Sequence, residues 1–530
     1  MIAESATSLQ HGRTMTTVSQ TIPARSTARM IALGLVTALM LIATTVWLSG
    51  GSYLLDRKLW MDEVHSWLLV TDSSATHALS ALADGVDFNP PTWFAVSRGL
   101  TKTILPETES SLRFLSLTWM TLAVSGLYVL LKRHFSTFVC IVTCCLVACQ
   151  PLLIHQCTEI RFYGFWCALT VWLCCVLQWQ PQLRWKRILR IALGSVFAML
   201  ISTTHYFGIL SLGLITTPLL LQFRNSRNNF WLAVMLLGCG SVSVLCCLPF
   251  LQGQKAALSR PTWITAPNVP DSILFLQTLL PTWQIVTCIV AVLLTLLFRK
   301  HEPGASPFRN RPEHASLLLP CICLSAMPLI IVAVSWLLQP ALVIRYAIVG
   351  CFGVAPVFAL LLHQCSFRIK MIVLAAALLG IRSTTHTCLE HWKTGDDEQA
   401  RLVTQLHSCA ADNVIIFEDR IDWMPVLHYY REFAGRCRLA DFSNSRLIKD
   451  SSLRIVQRDV GRKIEKWYPF WQMQQIDSIP RGSQFYVVPY ADTKTCGLRY
   501  PDEFIAGPSP SSMIRFERPH EVAGERRTVR

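Results

Sequence analysis

Long apolar runs alternate with short polar connections along most of this chain. The first run extends from Met30 to Gly50 and is long enough to cross a bilayer as a helix. Ten later runs of spanning length follow at 113–131, 137–155, 162–180, 187–204, 206–222, 229–250, 273–298, 316–338, 341–363 and 369–386. The pattern predicts an α-helical polytopic membrane protein with about eleven transmembrane helices. Two pairs of runs, at 187–222 and 316–363, are separated by so few residues that the number of helices could differ there.

The pattern changes after residue 386, where polar and charged residues become frequent. NVIIFED and QFYVVPY read as buried strands, and DWMPVLHYYREF and SLRIVQRDVGRKIEKWY read as helices. Residues 1–29 are rich in Ser and Thr and contain no apolar core. We therefore expect a disordered cytoplasmic N-terminus at 1–29, a transmembrane domain at 30–386 and a soluble α/β domain at 387–530.

Composition agrees with a membrane protein. Of the 530 residues, 52% are hydrophobic and only 15% are charged, and the mean hydropathy is +0.39. Of the 20 cysteines, 16 lie between Cys140 and Cys365, mostly inside apolar runs, where thiols behave as small hydrophobes. The other four could form disulfides in an extracytoplasmic domain, with the pairing left open: Cys388, Cys409, Cys437 and Cys496.

The net charge of +15 belongs to the membrane part, because the region from Thr387 onward contains 21 basic and 20 acidic residues. The excess lies in short connections between apolar runs, which is the positive-inside pattern and not a nucleic-acid surface. It predicts a multi-pass protein of the cell (inner) membrane with a cytoplasmic N-terminus and an extracytoplasmic C-terminal domain. No glycine-rich phosphate loop, HExxH motif or nucleophile elbow occurs in the sequence.

The first outer loop, residues 51–112, differs from the other connections. It contains eight acidic and four basic residues, together with stretches that are apolar on one face at helical spacing. Its Asp62-Glu63 pair lies close to where the chain first leaves the membrane. Carboxylates at a lipid boundary are usually paired, hydrated or functional, so we expect this loop to fold and to carry chemistry.

Five features are predicted to meet on the same outer face. They are Asp62-Glu63, Asp87 with Asn89 before Pro90-Pro91, the Glu159-Ile160-Arg161 turn with Tyr163, His205-Tyr206, and Arg345-Tyr346. Carboxylates there can act as a general base or hold a divalent cation. Arginines at the outer ends of spans can bind a phosphate with two hydrogen bonds. The combination indicates a site for a phosphate-bearing lipid head and an acceptor that loses a proton.

The order of these motifs resembles the GT-C membrane glycosyltransferases. The Asp-Glu pair is followed by Asn-Pro-Pro, by Ser-x-Arg-x-x-Ser (Ser111, Arg113, Ser116) and by an ERxY-like EIRFY at Glu159–Tyr163. The most similar group contains the protein O-mannosyltransferases and the lipid A aminoarabinose transferase. The similarity covers about residues 30–365, and the C-terminal domain resembles the extracytoplasmic domain of many members.

The resemblance implies transfer of one sugar from a polyprenyl-phosphate donor to a protein, lipid or glycan acceptor on the extracytoplasmic side, with inversion at the anomeric carbon. By position, Asp62 would be the base, and Glu63 would support it or bind metal. The donor phosphate would be bound by Arg161, Tyr163, Arg345 and Tyr346. Four further residues would line the site on the acceptor side: Asp87, Asn89, Glu159 and His205.

Two points stay open at the level of sequence. Many relatives have His where this chain has Asn89, so a metal ligand in that motif is in doubt. The candidate ligands for Mg, Mn or Zn are Glu63, Asp87 and His205. The same arginines would also serve a transferase of another lipid-phosphate-borne group, or a flippase of lipid-linked sugars. No internal repeat is visible, and the ionisable residues cluster at one outer face and not at mid-membrane, which favours surface chemistry over transport.

Overall fold

The computed structural model describes residues 32–34, 53–221, 226–258, 267–277, 290, 312–338, 340–418, 420–441, 452–475, 478–480, 483–488, 505–507 and 514–517. The predicted N-terminal segment 1–29, nearly all of the first span, most of the span at 273–298 and Cys496 lie outside these residues. In the described parts, every cysteine is free, including Cys388, Cys409 and Cys437.

The first outer loop folds into short helices, as its amphipathic pattern predicts. They are α1 (Tyr53–Asp56), α2 (Met61–Thr71), α3 (Ala75–Asp84) and α4 (Thr92–Thr103). Ser74 caps α3 by accepting a hydrogen bond from the His77 amide at 3.2 Å. Gly85 ends α3 with φ 95°, a conformation that favours glycine, and turns the chain towards Asp87.

A helical bundle follows the loop, and most of the buried apolar side chains lie in it. Its helices are α5 (Glu109–Lys132), α6 (Thr137–Ala148), α7 (Pro151–Gln156), α8 (Tyr163–Gln178), α9 (Arg184–Thr204), α10 (Gly208–Leu221), α11 (Arg227–Cys246), α12 (Leu248–Leu258), α13 (Val269–Gln277), α14 (Pro312–Cys323), α15 (Met327–Leu337), α16 (Ile348–Gln364) and α17 (Phe367–Ser408). Helices α5 and α8 pack most extensively. Gly126 lets Trp172 of α8 approach α5, where its indole donates to the Leu122 carbonyl at 3.0 Å.

Six helical segments in the described residues are long and apolar enough to cross a membrane. They are Glu109–Lys132, Arg184–Thr204, Arg227–Cys246, Leu318–Leu337, Ile344–Gln364 and Phe367–Ser408, with shorter apolar helices at Thr137–Ala148, Tyr163–Gln178 and Gly208–Leu221. The chain is therefore a multi-pass membrane protein, as predicted. The two closely joined pairs form separate helices, while the total of eleven spans stays a prediction, because two of the runs lie largely outside the described residues.

Three helix boundaries differ from the apolar runs. The run at 137–155 is broken between α6 and α7, where Pro151 begins the second helix. The run at 316–338 is interrupted by a 3₁₀ turn, Leu324–Ala326, between α14 and α15. Helix α17 continues through residue 386 to Ser408, so the change in composition at the predicted domain boundary falls inside one uninterrupted helix.

The C-terminal domain contains a six-stranded sheet in the order β3-β2-β1-β4-β6-β5. Its elements are β1 (Val414–Phe417), α18 (Arg420–Tyr429), β2 (Cys437–Asp441), α19 (Ser452–Trp467), β3 (Met473–Gln475), β4 (Gln484–Val488), β5 (Ile505–Gly507) and β6 (Ile514–Glu517). Strands β1 to β4 pair in parallel, and β6 is antiparallel to β4 and β5. Both predicted strands and both predicted helices are confirmed.

Two arginines from the basic connections lie at the C-terminal end of α8. At this end, the Arg133 guanidinium donates to the Cys175 carbonyl at 3.2 Å, and Arg190 donates to the Leu177 carbonyl at 2.6 Å. Helix α8 begins at the opposite end, at Tyr163, where α2 and the C-terminal domain also lie. The candidate site and these two arginines thus lie at opposite ends of α8.

Candidate functional site

Glu63 is completely buried and bound on both oxygens. Arg57 donates to Oε2 at 3.1 Å and to Oε1 at 3.2 Å, and Arg113 donates to Oε2 at 3.2 Å. The amides of Ile160 and Trp60 add bonds of 3.0 and 3.3 Å. Burial raises the pKa of Glu63, but the two arginines and the two amides outweigh burial and hold it below its ordinary value. Glu63 therefore joins α2 to α5 and to the turn before α8.

Asp62 lies beside Glu63 but is partly accessible, with 13% of its side chain exposed. Arg345 donates to Oδ2 at 2.9 Å, and Arg161 lies 4.0 Å from the same oxygen. Burial raises the pKa of Asp62, but Arg345 and Arg161 outweigh burial and hold it below 3.8. The carboxylate is therefore ionised near pH 7. Its Oδ1 has no hydrogen-bond partner in the described part of the chain, so this oxygen remains available.

Arg161 connects three parts of the site. Its Nη1 donates to Asp87 Oδ2 at 2.7 Å, to the Asp62 carbonyl at 3.1 Å and to Ser66 Oγ at 3.2 Å. Asp87 also accepts a hydrogen bond from Asn89, and both residues are buried. Burial lowers the pKa of Arg161, but Asp87 and Asp62 outweigh burial and raise it above its ordinary value. The guanidinium stays charged and fixes the turn at Asp87 against α2.

Aromatic residues surround the arginines. The Arg345 guanidinium lies 5.3 Å from the Trp60 ring centre, which fits a cation–π contact. Tyr346 packs against His205 with 4.9 Å between ring centroids, and His205 stacks on Phe162 at 4.7 Å. The buried hydroxyl of Tyr163 has no partner among the described residues. These rings form an apolar wall beside two fixed cations.

Glu159 lies apart from the other predicted site residues. Its Oε1 is 2.9 Å from His155 Nδ1, and its second oxygen is buried without a hydrogen-bond partner in the described part of the chain. Its backbone carbonyl accepts from the Arg161 amide at 2.7 Å. Glu159 thus helps to shape the turn that presents Arg161.

The three candidate metal ligands do not form a ligand set in this structure. Arginines and amides occupy Glu63, and Arg161 and Asn89 occupy Asp87. His205 lies among aromatic rings, where burial, Arg161 and Arg345 lower its pKa to about 3. Within the ranges described above, no group of three or more His, Cys, Asp or Glu side chains is placed to hold a metal ion.

Several residues at the site were not identified from the sequence. Gln254 of α12 is buried and donates to the carbonyls of Leu82, Asp87 and Asn89 at 3.2, 3.0 and 3.3 Å, which fixes the Asp87 turn. Arg57 is one of the two cations on Glu63. Gln254 binds backbone atoms of a segment far away in sequence, and Arg57, although close to Glu63 in sequence, belongs to no recognisable motif, so no sequence signal pointed to either residue.

The C-terminal domain also reaches the site. Arg420 is buried at the start of α18, and its charge acts on Asp62 and His65. Burial and Arg420 lower the pKa of His65 to about 4, so this histidine is neutral near pH 7. The domain is therefore in electrostatic contact with the first outer loop.

Two solved structures share this architecture. ArnT from Cupriavidus metallidurans bound to undecaprenyl phosphate matches 95% of this chain and 100% of its own, with 12% identity and a TM-score of 0.56. ArnT from the same organism in the apo state matches 93% of this chain and 98% of its own, with 11% identity and a TM-score of 0.58. No protein-family model matches the chain, and neither does any curated protein.

The chain thus has the fold of a GT-C membrane glycosyltransferase, as the motif order predicts. Among solved structures, the fold is similar to that of ArnT, the aminoarabinose transferase. At 11–12% identity this similarity concerns the fold, while the chemistry has to be argued from the residues of this chain.

Proposed function

We propose that the protein transfers a single sugar from a polyprenyl-phosphate donor to an acceptor hydroxyl on the extracytoplasmic side of the membrane, with inversion at the anomeric carbon. One observation carries the proposal: the ionised, partly exposed Asp62 lies 2.9 Å from Arg345, with its Oδ1 directed to no group of the described chain. A base and a cation are thereby adjacent and both partly accessible.

We assign Asp62 as the base that deprotonates the acceptor hydroxyl. Its Oδ1 accepts the hydroxyl proton as the acceptor oxygen bonds to the anomeric carbon. The bond from that carbon to the phosphate oxygen breaks on the opposite face, and the electron pair leaves with the polyprenyl phosphate. A carboxylate with a low pKa is a weak base, which suits proton transfer late in a reaction whose transition state resembles an oxocarbenium ion.

Arg345 is the group that we assign to the leaving phosphate. It is 22% exposed, whereas Arg161 is only 6% exposed and bound to Asp87. Negative charge on the phosphate grows as the glycosyl bond breaks, so a fixed guanidinium lowers the barrier. Tyr346 and the unpartnered hydroxyl of Tyr163 would add hydrogen bonds to the phosphate. Arg161, which lies 4.0 Å from Asp62 Oδ2, adds positive charge near the site.

Glu63 and Asp87 have positioning roles in this proposal, because arginines already occupy them. Asn89 and Glu159 shape the two turns that carry Asp87 and Arg161. His205 contributes an aromatic wall beside Tyr346. A divalent cation would need ligands other than the grouping of Glu63, Asp87 and His205.

The fold supports the choice of donor. One of the two similar structures is ArnT bound to undecaprenyl phosphate, which supports a polyprenyl-phosphate donor for this chain. Arg133 and Arg190 at the other end of α8 support an orientation with that end in the cytoplasm. The site would then face the outside of the inner membrane.

A transfer assay tests the proposal. Purified protein in liposomes is given radiolabelled polyprenyl-phosphate sugars and a panel of acceptors, and the label is followed in the lipid and acceptor fractions. The proposal expects label to leave the prenyl phosphate in one or more combinations. Label that crosses the bilayer while still attached to its lipid would instead identify a flippase, and a transferred phosphate-bearing head would identify a transferase of another group.

A further inference from the structure

Helix α18 of the C-terminal domain contacts the chain just before Asp62. The Tyr429 hydroxyl accepts a hydrogen bond from the Leu59 amide at 2.7 Å and donates to Glu109 Oε2 at 2.6 Å. His428 Nε2 lies 2.9 Å from the other oxygen of Glu109. One tyrosine thus connects the C-terminal domain, the start of α5 and the backbone of the first outer loop.

The segment 57–60 connects α1 to α2, and side chains bind its backbone. Arg113 donates to the carbonyls of Arg57 and Lys58. The Trp60 amide donates to Glu63 at 3.3 Å. The Leu59 amide donates to the Tyr429 hydroxyl, which is the bond that the C-terminal domain supplies. Leu59 is buried, so its amide would lose free energy without that acceptor.

The position of this segment determines the geometry at Asp62. Trp60 follows Leu59 directly, and its ring lies 5.3 Å from the Arg345 guanidinium. Asp62, two residues further on, accepts from the same guanidinium at 2.9 Å. A shift of the Leu59–Trp60 backbone would therefore move the base relative to the cation, and reaction rates are sensitive to such shifts.

We propose that Tyr429 is a positioning residue: through its bonds to the Leu59 amide and to Glu109, the C-terminal domain holds segment 57–63 so that Asp62 and Arg345 face one substrate. The inference rests on the proposed transferase function. It gives the C-terminal domain a positioning role at the site, in addition to the charge of Arg420.

The experiment compares Tyr429→Phe with Tyr468→Phe in the full-length protein in lipid nanodiscs. Tyr468 is a matched control, because its hydroxyl also links the C-terminal domain to α2, but at the far end, where it donates to Asp72 Oδ2 at 3.0 Å. The first readout is amide hydrogen exchange of the peptide containing residues 57–63. The second is sugar transfer, with kcat and the donor KM measured separately.

In Tyr429→Phe we expect exchange at Leu59 to become about tenfold faster, the effect of losing one hydrogen bond. We expect kcat to fall by about tenfold with the donor KM changed by less than about twofold, because Arg345 itself remains. Tyr468→Phe should leave the exchange at 57–63 and kcat unchanged. Equal thermal unfolding of the two variants separates positioning from a general loss of stability.

Two results would overturn the inference. Unchanged exchange at 57–63 in Tyr429→Phe would show that the hydroxyl does not hold the segment. Faster exchange with an unchanged kcat would show that holding the segment has no bearing on transfer. If the wild-type protein transfers no sugar, the proposed function fails, and with it the catalytic part of the inference, whereas the exchange measurement still decides whether Tyr429 holds the segment.

Discussion

Asp62 and Glu63 are neighbours in sequence but have different surroundings. Glu63 points into the protein, where Arg57, Arg113 and two amides bind it. Asp62 is partly exposed and shares only one carboxylate oxygen with Arg345 and Arg161. The sequence identified the pair, with Asp62 as the base and Glu63 as its support or as a metal ligand. Arg113 and Ile160 come from distant parts of the chain, so the two environments could not be distinguished before the fold was known.

Replacing Glu63 with Gln should destabilise the protein. Both buried arginines would lose their shared anion, which costs about 3 kcal/mol. Thermal unfolding in detergent should show a clear decrease in Tm. The control is Glu107→Gln, whose exposed carboxylate pairs with Lys102 and whose loss should change stability by less than about 1 kcal/mol. Equal Tm values for the two variants would contradict the structural role of Glu63.

The pH dependence of transfer should reflect the lowered pKa of Asp62. Its folded-state pKa lies below 3.8, so the stability from its ion pairs is present above that ordinary value and is lost as the pH falls through the folded pKa. The rate should therefore show no acid limb between about pH 7 and about pH 5. In Arg345→Gln the acid limb should move to higher pH. An acid limb near neutrality in the wild type would assign the base to another group.

At the level of elements, hydropathy located the helices but not their breaks. The interruption between α14 and α15 coincides with a close contact: a Cβ on Gly353 of α16 would lie 2.2 Å from the Ser325 backbone nitrogen. The 3₁₀ turn thus packs directly on a glycine of a helix that follows later in the chain. Such a contact depends on two helices meeting in three dimensions, which no pattern within either run could show.

Gly353→Ala should therefore destabilise the bundle. A methyl group at this position meets backbone atoms, so the turn or α16 must move, at a cost of about 1–3 kcal/mol. Gly213→Ala in α10 is the matched control, because a Cβ there meets nothing within 4 Å. Thermal unfolding should show a lower Tm for the first variant and an unchanged or slightly higher Tm for the second. Equal behaviour would show that the contact between α16 and the turn is looser than described.

At the scale of the whole molecule, the order of motifs predicted the fold class. The structure also brings Asp62, Asp87, Arg161 and Arg345 together, and the alternation of spans along the chain had predicted this common face. The bonds from Gln254 and Tyr429 were beyond sequence reasoning, because each binds backbone atoms of a segment more than 150 residues away. Backbone partners leave no trace in the amino-acid pattern.

The orientation of the bundle gives a prediction at this scale. A reporter fused after Gln182, in the connection between α8 and α9, should be cytoplasmic, and one fused after Ser408, at the end of α17, should be extracytoplasmic. The physical reason is the basic excess around Arg133 and Arg190 at the first end. The opposite pair of locations would place the site on the cytoplasmic face and would remove the extracytoplasmic reaction.

The most direct measurement is the transfer assay on Asp62→Asn beside Asp56→Asn. Asp56 is an exposed carboxylate of α1 whose only described bond is from Ser110 at 3.2 Å, so its loss should leave transfer unchanged. Asp62→Asn should lower the transfer rate by about a thousandfold while donor binding persists. Full transfer by Asp62→Asn, in protein that elutes and unfolds like the wild type, would contradict the assignment of Asp62 as the base.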